Sequence, residues 1–307
     1  MKAIGYDRPL FVQPFDHRGS FTKTFFEFKG PPKIAPGEDQ HVPVSAAKTL
    51  IYRGLLRAIE MGVPKGEVGI LVDSGFGSHI LADAKSRGIP AAVCVEKSGQ
   101  DVFDFEYGVR WEDHLRFVAP DIVKCLVRYH PEDDVAANRE QLTRLKLLSD
   151  YVHSGDTYYL MFELLVPAVT EKDKLASDRY DTEIRPGHMV EAIRQIQDFG
   201  VEPDIWKIEG LDSREHARAI ARQVRSSDSR ARVGSILLGR GSNKEKVHEW
   251  LKVAAPVEGF IGFAVGRTNF SDPLKRYLKK EQDEKTAVEE IASNYKGCVD
   301  IWKKAKG

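Results

Sequence analysis

The stretch PDIWKIEG, residues 203–210, places a lysine in the middle of a short apolar run. Side chains alternate along a strand, so Ile205 and Ile208 lie on opposite faces. A run that is apolar on both faces is typical of a parallel strand covered by helices. Lysine is almost never fully buried unless it is paired or has a function. The stretch therefore predicts an interior strand and raises the question of what Lys207 does there.

Seven further runs of the same kind occur along the chain, each bounded by turn residues or charges. They are Leu10–Phe15, Val68–Asp73, Ala91–Glu96, Ile122–Val127, Tyr158–Leu164, Gly234–Gly239 and Gly259–Val265. Helical patterns separate most of them. Eight strands alternating with helices predict an α/β fold, a single-domain (β/α)8 TIM barrel over residues 1–307 closed by a C-terminal helix. A doubly wound sheet is disfavoured, because no G-x-G-x-x-G turn follows the first strand.

Two segments between these elements are longer than ordinary loops. Residues Thr24–His41 are rich in proline and glycine, and residues Lys172–Arg185 are charged and rich in turn formers. Long loops at a barrel mouth are often lids, and a solvated insertion is the alternative for both. The next helix is predicted over residues 45–62, with Ser45 as its N-cap.

The composition limits the classes of function. Lys plus Arg and Asp plus Glu both number 46, so the formal net charge is zero and no nucleic-acid or membrane partner is indicated. The three cysteines form no C-x-x-C pair, which is typical of reduced thiols in the cytoplasm. No apolar segment suggests a signal peptide or a membrane span. We expect a cytoplasmic protein, and the sequence leaves open whether it forms a homo-oligomer.

Charged residues lie where the predicted strands end, and in a barrel of this kind chemistry takes place at that end. The residues concerned are Asp16, His17 and Arg18 after strand one, Asp73, Glu96, Glu163 and Glu209 at strands two, three, five and six, and Arg128 after strand four. A solvated rim would also be polar. Two lysines inside strands, Lys124 and Lys207, are more informative.

Lys207 shares a strand face with Glu209, and Trp206 lies on the other face. Packing Trp206 against the helices turns Lys207 into the barrel, where burial favours the neutral amine. A neutral lysine amine attacks a carbonyl to form a Schiff base, which acts as an electron sink for breaking a carbon–carbon bond. The alternative is a core ion pair of Lys207 with Glu163 or Glu209. Lys124 is either a cation that favours the neutral amine, a ligand clamp or half of an ion pair.

Schiff-base chemistry also needs a proton carrier. Glu163 ends the strand next to that of Lys207 and is the candidate, unless it only neutralises a lysine. Asp16 is a candidate for orienting a substrate hydroxyl. Its alternative is an N-cap or a loop salt bridge to Arg18.

Glycine-bearing turns follow strands seven and eight, where barrels commonly bind phosphate. Gly239, Gly241 and Gly266 would let backbone N–H groups approach an anion, and Arg267 would clamp it. Ordinary turns are the alternative. The nine histidines show no metal-ligand spacing, so we expect neither a metal nor another cofactor.

Together these motifs resemble a known enzyme family. The segments are PFDHRGS (14–20), DIVKCLVRYHPED (121–133), YYLMFEL (158–164), PDIWKIEG (203–210), LLGRG (237–241) and GFAVGRT (262–268). Their ordered set, from Phe11 to Phe270, resembles the class I aldolase barrels of tagatose-1,6-bisphosphate aldolase. The aldolase module for 2-deoxy-5-keto-gluconate 6-phosphate, from myo-inositol breakdown, is the more similar type. A sugar kinase often precedes that module and has no counterpart here.

The resemblance implies a role for each matching residue. Lys207 would be the Schiff-base lysine and Glu163 the acid/base carboxylate. Asp16 would contact substrate hydroxyls, and Lys124 would belong to the pocket. His17 and Arg18 are assigned to substrate binding with Asp16, although the tagatose type is expected to have glutamine where His17 stands. Gly239, Gly241, Gly266 and Arg267 fall where the family grips phosphate.

The resemblance thus predicts a lyase that needs no metal and cleaves a phosphorylated keto-sugar or keto-sugar acid. With 2-deoxy-5-keto-gluconate 6-phosphate, the products would be dihydroxyacetone phosphate and malonate semialdehyde. A tagatose-bisphosphate-type aldolase, a phosphosugar isomerase or epimerase, and a sugar-phosphate sensor without catalysis are the alternatives.

Overall fold

Eight parallel strands close into a barrel in which each strand pairs with the next and the last pairs with the first. The computed structural model describes residues 3–30 and 32–307. The strands are β1 (Leu10–Pro14), β2 (Val68–Val72), β3 (Ala91–Cys94), β4 (Ile122–Arg128), β5 (Tyr159–Leu165), β6 (Ile205–Glu209), β7 (Gly234–Leu238) and β8 (Phe260–Ala264). This closed topology confirms the predicted (β/α)8 TIM barrel. Each predicted apolar run matches its strand to within one or two residues at either end.

Helices connect the strands and surround the barrel. They are α1 (Gly19–Phe26), α2 (His41–Glu60), α3 (Ser74–Ser86), α4 (Trp111–Val118), α5 (Val135–His153), α6 (Glu171–Leu175), α7 (Ser177–Arg179), α8 (Arg185–Asp198), α9 (Arg214–Val224), α10 (Lys244–Ala254), α11 (Arg267–Leu278) and α12 (Glu284–Lys306). Short 3-10 turns occur at Lys65–Glu67, Gly108–Arg110 and Asp228–Arg230, and a π-helical turn at Tyr180–Ile184. The C-terminal helix α12 packs against α2 and α11.

Helix α2 starts earlier than predicted, so the N-cap at Ser45 is wrong. Helix α2 begins at His41, and the Ser45 hydroxyl donates to the carbonyl oxygen of Phe76 at 2.7 Å. Helix α11 was not predicted, because it follows the polar turn of β8 and contains Pro273. Proline in a helix interior ordinarily argues against a helix.

The segment Lys172–Arg185 is not a solvated loop, contrary to one of the two expectations for it. It folds into α6, α7 and the π-helical turn, and a capping box between Thr170 and Asp173 starts α6. Asp173, Tyr180 and Arg185 are buried there with polar partners. These three polar side chains can be buried because each has a hydrogen-bonding or charged partner. The partners are not recognisable from the sequence of the segment itself.

Residues 27–40, from the other long segment, have no helix or strand in the part that the structure describes. Met1, Lys2 and Pro31 lie outside the described residues. A role for the Thr24–His41 segment as a lid stays a prediction.

Apolar side chains form two layers on the two faces of the strands. The larger layer lies between strands and helices and includes Phe11, Phe162 and Trp206. The smaller layer fills the barrel interior and includes Val12, Met161 and Ile205. Further along the strands, the inward positions become charged, so the carboxyl end of the barrel is polar. In residues 3–30 and 32–307, no helix has both the length and the apolar character needed to cross a bilayer.

Candidate active site

Two adjoining chambers open at the carboxyl ends of the strands. The lysine chamber has a volume of about 300 Å³ and is lined by Lys207, Glu163, Gly239, Gly241, Gly266 and Arg267 among others. The second chamber has a volume of about 310 Å³ and is lined by Asp16, Arg18, Glu96, Gln100 and Lys124 among others. Glu163, His17 and Arg128 line both chambers. The two chambers therefore form one divided site at the barrel mouth.

Lys207 lies in the barrel interior, as the alternation along β6 requires. Its neighbour Trp206 packs outward against Phe162, with ring centroids 5.0 Å apart. Only 3% of Lys207 is exposed, and its Nζ lies 2.8 Å from Glu163 Oε2. Glu163 and Lys207 are register partners across β5 and β6, which brings the two side chains together. Lys207 is thus paired with Glu163, and Glu209 turns instead to Arg240.

Lys124 is held by three carboxylates. Its Nζ lies 2.7 Å from Glu96 Oε1, 2.8 Å from Glu163 Oε2 and 3.0 Å from Asp16 Oδ2. Glu163 Oε2 therefore contacts both buried lysines. Lys124 is the cation of an ion-pair network with three carboxylates. It is therefore not the unpaired cation that would favour a neutral amine on Lys207.

Burial and charge compete to set the ionisation of this network. Burial opposes ionisation of Asp16, but the charge of Lys124 holds the pKa of Asp16 well below its ordinary value. At Glu163, Lys124 and Lys207 likewise outweigh burial and lower the pKa to about 2. At Glu96 burial dominates and the pKa is raised. Burial is also outweighed at Lys124, where the three carboxylates raise the pKa well above its ordinary value.

Asp16 is placed by the loop that follows β1. Lys48 of α2, which is completely buried, donates to the carbonyl oxygens of Phe15 at 2.6 Å and of His17 at 3.1 Å, on either side of Asp16. The same amine pairs with the carboxylate of Asp73. Asp16 Oδ1 is buried and accepts no hydrogen bond among the described residues. A free acceptor at this position suits a substrate hydroxyl.

The structure gives the next two residues different environments. His17 is 38% exposed, and its Nδ1 lies 3.7 Å from Asp16 Oδ1, so it stands at the mouth of both chambers. Arg18 is 7% exposed and lies 2.9 Å from Glu106 Oε2. Its Nη2 also donates to the carbonyl oxygen of Glu96 at 2.6 Å. Arg18 therefore supports the wall of the second chamber and does not pair with Asp16.

The glycine turns border the lysine chamber beside Arg267. At Gly266 an added Cβ would lie 2.3 Å from the carbonyl oxygen of Pro14, so only glycine fits there. Gly241 has a φ of +75°, and an added Cβ would lie 2.8 Å from Arg267 Nη2. Gly239 lacks such constraints, because the nearest atom would be at the ordinary distance of 3.5 Å. Arg267 opens α11 and has no ion-pair partner among the described residues.

Glu96 is the member of the network to which the sequence analysis gave no role. The sequence distinguishes Glu96 only by its position at the end of strand three. Carboxylates with a purely structural role also occur at strand ends. Beyond contacting Lys124, Glu96 accepts from the backbone N–H of Leu126 at 3.3 Å. Register across β3 and β4 brings Glu96 near Lys124, and this register is visible only in the folded sheet.

Among the residues that the structure describes, two clusters of side chains have the composition of metal sites. One comprises Asp16, Cys94 and Glu96, and the ammonium of Lys124 lies against both of its carboxylates. The other comprises His130, Asp173 and His188.

The geometry of His130 does not fit a metal ligand. The backbone N–H of Glu132 donates to His130 Nδ1 at 3.1 Å. The neutral ring then carries its proton on Nε2, which keeps no lone pair for a metal. This atom lies 3.2 Å from Asp173 Oδ2 but makes no hydrogen bond among the described residues. His188 Nε2 and Asp173 Oδ1 lie within hydrogen-bond distance of each other at 3.1 Å, and His130 in this tautomer offers no lone pair to a metal.

Comparisons with known proteins place the chain in one family and one fold. A family model described as "Uncharacterized protein conserved in bacteria (DUF2090)" matches residues 7–306. No curated protein matches the chain. The solved structure of fructose-bisphosphate aldolase from Plasmodium falciparum is similar, with a TM-score of 0.63 and 11% sequence identity. The match covers 99% of this chain and 93% of that one, and at this identity it indicates a shared fold alone.

Proposed function

The chain belongs to the DUF2090 family, and we propose that it is a class I aldolase that cleaves a phosphorylated keto-sugar or keto-sugar acid through an imine on Lys207. The observation that carries this proposal is a buried lysine at the carboxyl end of a TIM barrel. Its amine contacts a carboxylate, Glu163, at 2.8 Å and borders an open chamber. A buried lysine forms a Schiff base with a carbonyl substrate once its amine is neutral, and Glu163 is placed to take the proton.

The reaction begins when the Lys207 ammonium gives a proton to Glu163 and the neutral amine adds to the substrate ketone. Glu163 returns the proton as water leaves, which gives a protonated imine and restores the carboxylate. The carbon–carbon bond then breaks, and its electron pair moves into the imine to give a neutral enamine. The β-hydroxyl loses its proton as its carbon becomes the aldehyde carbonyl. The enamine next takes a proton at carbon. Water finally hydrolyses the imine and restores the amine of Lys207.

Glu163 is the proposed proton carrier in these steps. Its low pKa reflects burial outweighed by the charges of Lys124 and Lys207. Formation of the neutral enamine removes one of these charges, so the carboxylate becomes more basic when the hydroxyl proton must be held. Asp16 Oδ1, the free acceptor, would receive the substrate hydroxyl.

The phosphate would bind at the turns after β7 and β8. Helix α11 begins at Arg267 without a side-chain cap, which leaves the N–H groups of Arg267 and Thr268 for an anion. The N–H of Asn269 already donates to the carbonyl oxygen of Gly266 at 2.8 Å. Arg267 adds a cation at the same place. This arrangement supports a substrate whose phosphate lies next to its ketone.

The resemblance to the inositol-route aldolase module favours 2-deoxy-5-keto-gluconate 6-phosphate as substrate. Its ketone half would leave as dihydroxyacetone phosphate and its acid half as malonate semialdehyde. A tagatose-bisphosphate-type substrate has the same ketone half and differs in the aldehyde.

Trapping with borohydride tests the proposal. We expect reduction in the presence of dihydroxyacetone phosphate to add the mass of the reduced ketone to Lys207, located by peptide mass spectrometry. Lys207→Arg should show no adduct and no cleavage, because a guanidinium does not form the imine. Lys85→Arg, an exposed lysine on α3, is the matched control and should be labelled like the native protein.

The same experiment separates the alternative functions. An isomerase or epimerase that used Glu163 as base would turn over phosphosugars without a borohydride adduct. A sensor would bind dihydroxyacetone phosphate and keep its affinity in Lys207→Arg, because the positive charge remains. Either result would overturn the aldolase proposal.

A further inference from the structure

The second chamber contains charged groups that the proposed cleavage does not use. Arg128 follows Lys124 and Leu126 on the inward face of β4 and stands at the rim of both chambers. Its Nη1 donates to the carbonyl oxygen of Gln100 at 2.7 Å. Among the described residues, no carboxylate pairs with Arg128. Arg128 therefore offers most of its donors to whatever enters the chamber.

The other cations of this chamber that lie below the rim are already neutralised. Arg18 pairs with Glu106, and Lys124 is surrounded by three carboxylates. Arg128 is the arginine of the second chamber that lacks an ion-pair partner within residues 3–30 and 32–307. An anion entering the chamber would be drawn to the rim.

Gln100 provides an independent sign of a ligand. Its Oε1 accepts from the backbone N–H of Asp104 at 2.6 Å, which fixes the orientation of the amide. Its Nε2 is buried and has no hydrogen-bond partner among the described residues. A buried donor without a partner costs about 1–3 kcal/mol, so this group is expected to be satisfied by a bound acceptor.

The polar groups are ordered along the depth of the chamber. Asp16 Oδ1, a free acceptor, lies in the buried part beside Lys124. Arg128 at the other end is exposed, and Gln100 beside it is partly exposed, although its Nε2 is buried. This order matches a short fragment with a hydroxyl or carbonyl at one end and an anion at the other.

We infer that the second chamber binds the aldehyde half of the substrate by an anionic terminus, a carboxylate or a phosphate, received by Arg128 and Gln100 Nε2. The inference rests on the proposed aldolase function. Since Glu163 and Arg128 line both chambers, a substrate spanning them would place its scissile bond near Glu163. Its two anionic ends would then point toward Arg267 and Arg128.

Aldol condensation tests this inference. With dihydroxyacetone phosphate saturating, KM is measured for malonate semialdehyde, glyceraldehyde 3-phosphate and the neutral propanal. We expect Arg128→Gln to raise KM for the preferred anionic aldehyde about ten- to a hundredfold, as expected for loss of a charged hydrogen bond. KM for propanal and for dihydroxyacetone phosphate should change less than about threefold. The anionic aldehyde that loses more identifies the terminus as carboxylate or phosphate.

Further variants guard against a general structural effect. Arg128→Lys should recover part of the lost affinity, because it restores the charge. Gln100→Glu should raise KM for anionic aldehydes and leave that for propanal unchanged, because it adds a repelling charge. Arg139→Gln, an exposed arginine on α5 that lines neither chamber, is the matched control. An equal rise in KM for neutral and anionic aldehydes in Arg128→Gln would overturn the inference.

Failure of the proposed function is recognised separately. Arg128→Gln should form the borohydride adduct with dihydroxyacetone phosphate as efficiently as the native protein. If the native protein forms no adduct, the aldolase proposal fails. The anion site is then tested alone by calorimetric titration with malonate. Equal malonate affinity in the native protein and Arg128→Gln would overturn the site, and a tenfold or greater loss would support it.

Discussion

Lys124 has the most heavily paired side chain of the site, with three carboxylates around one buried ammonium. Taking these charges out of water is costly, and their mutual attraction offsets that cost only while the cation is present. Lys124 also keeps Asp16, Glu96 and Glu163 close together in spite of their repulsion. It therefore fixes the geometry within which Lys207 would react.

Lys124→Met should lower the free energy of unfolding by about 3–5 kcal/mol, because it leaves buried carboxylates without their cation. Urea denaturation measures the change. Adding Glu96→Gln to Lys124→Met should recover part of the loss, because one uncompensated charge is removed. Lys252→Met, an exposed lysine on α10, is the control. A Lys124→Met variant as stable as the native protein would contradict this account of the network.

At the scale of the element, α2 acts on the site from outside the barrel. Its residue Lys48 reaches the loop after β1 and holds two carbonyl groups and the carboxylate of Asp73. The position of Asp16 therefore depends on a helix side chain that borders neither chamber. The ion pair of Lys48 with Asp73, at the end of β2, thus anchors the side chain that holds the loop after β1.

Lys48→Met should free this loop and leave Asp73 buried without its cation. We expect the unfolding free energy to fall by about 3–5 kcal/mol. Backbone amides of residues 15–18 should exchange with deuterium faster, while those of β5 keep their relative protection. Hydrogen exchange followed by mass spectrometry measures this. Lys85→Met on α3 is the control, and unchanged exchange at residues 15–18 would show that Lys48 does not hold the loop.

At the scale of the whole molecule, the buried network makes stability depend on pH. Burial raises the pKa of Glu163, but the two lysines lower it from 4.5 to about 2 in the folded protein. A carboxyl with a lowered pKa stabilises the fold fully above its unfolded value of 4.5, and this contribution is lost as the pH falls toward 2. Asp16 changes in the same direction.

We therefore expect the stability difference between the native protein and Glu163→Gln to shrink as the pH falls from about 5 to about 2. Urea denaturation at a series of pH values measures this difference. Glu96 has a raised pKa from burial, so its effect lies above pH 4.5, where stability increases as the pH falls. The uncharged surface variant Ser86→Ala should differ from the native protein by a constant amount. A constant difference for Glu163→Gln would rule out its pairing with the lysines.

Local pattern was sufficient for the strands and failed for parts of the helical layer. Strand positions follow from short apolar runs, which are a property of neighbouring residues. Ser45 was misplaced as an N-cap, because Gln40 and His41 give no clear start signal to α2. The segment Lys172–Arg185 was misread as a loop, because two of its charged residues, Asp173 and Arg185, are buried by partners elsewhere in the chain.

The sequence by itself determined the order of the eight strands and the inward direction of Lys207, because strand period and apolar runs depend only on adjacent residues. It also determined which charged residues end the strands. Only the tertiary structure decided which of these side chains meet. Lys124 contacts Asp16 across 108 positions and Glu96 across 28, and Lys48 reaches His17 across 31. Such contacts depend on the register and closure of the barrel, which no local pattern encodes.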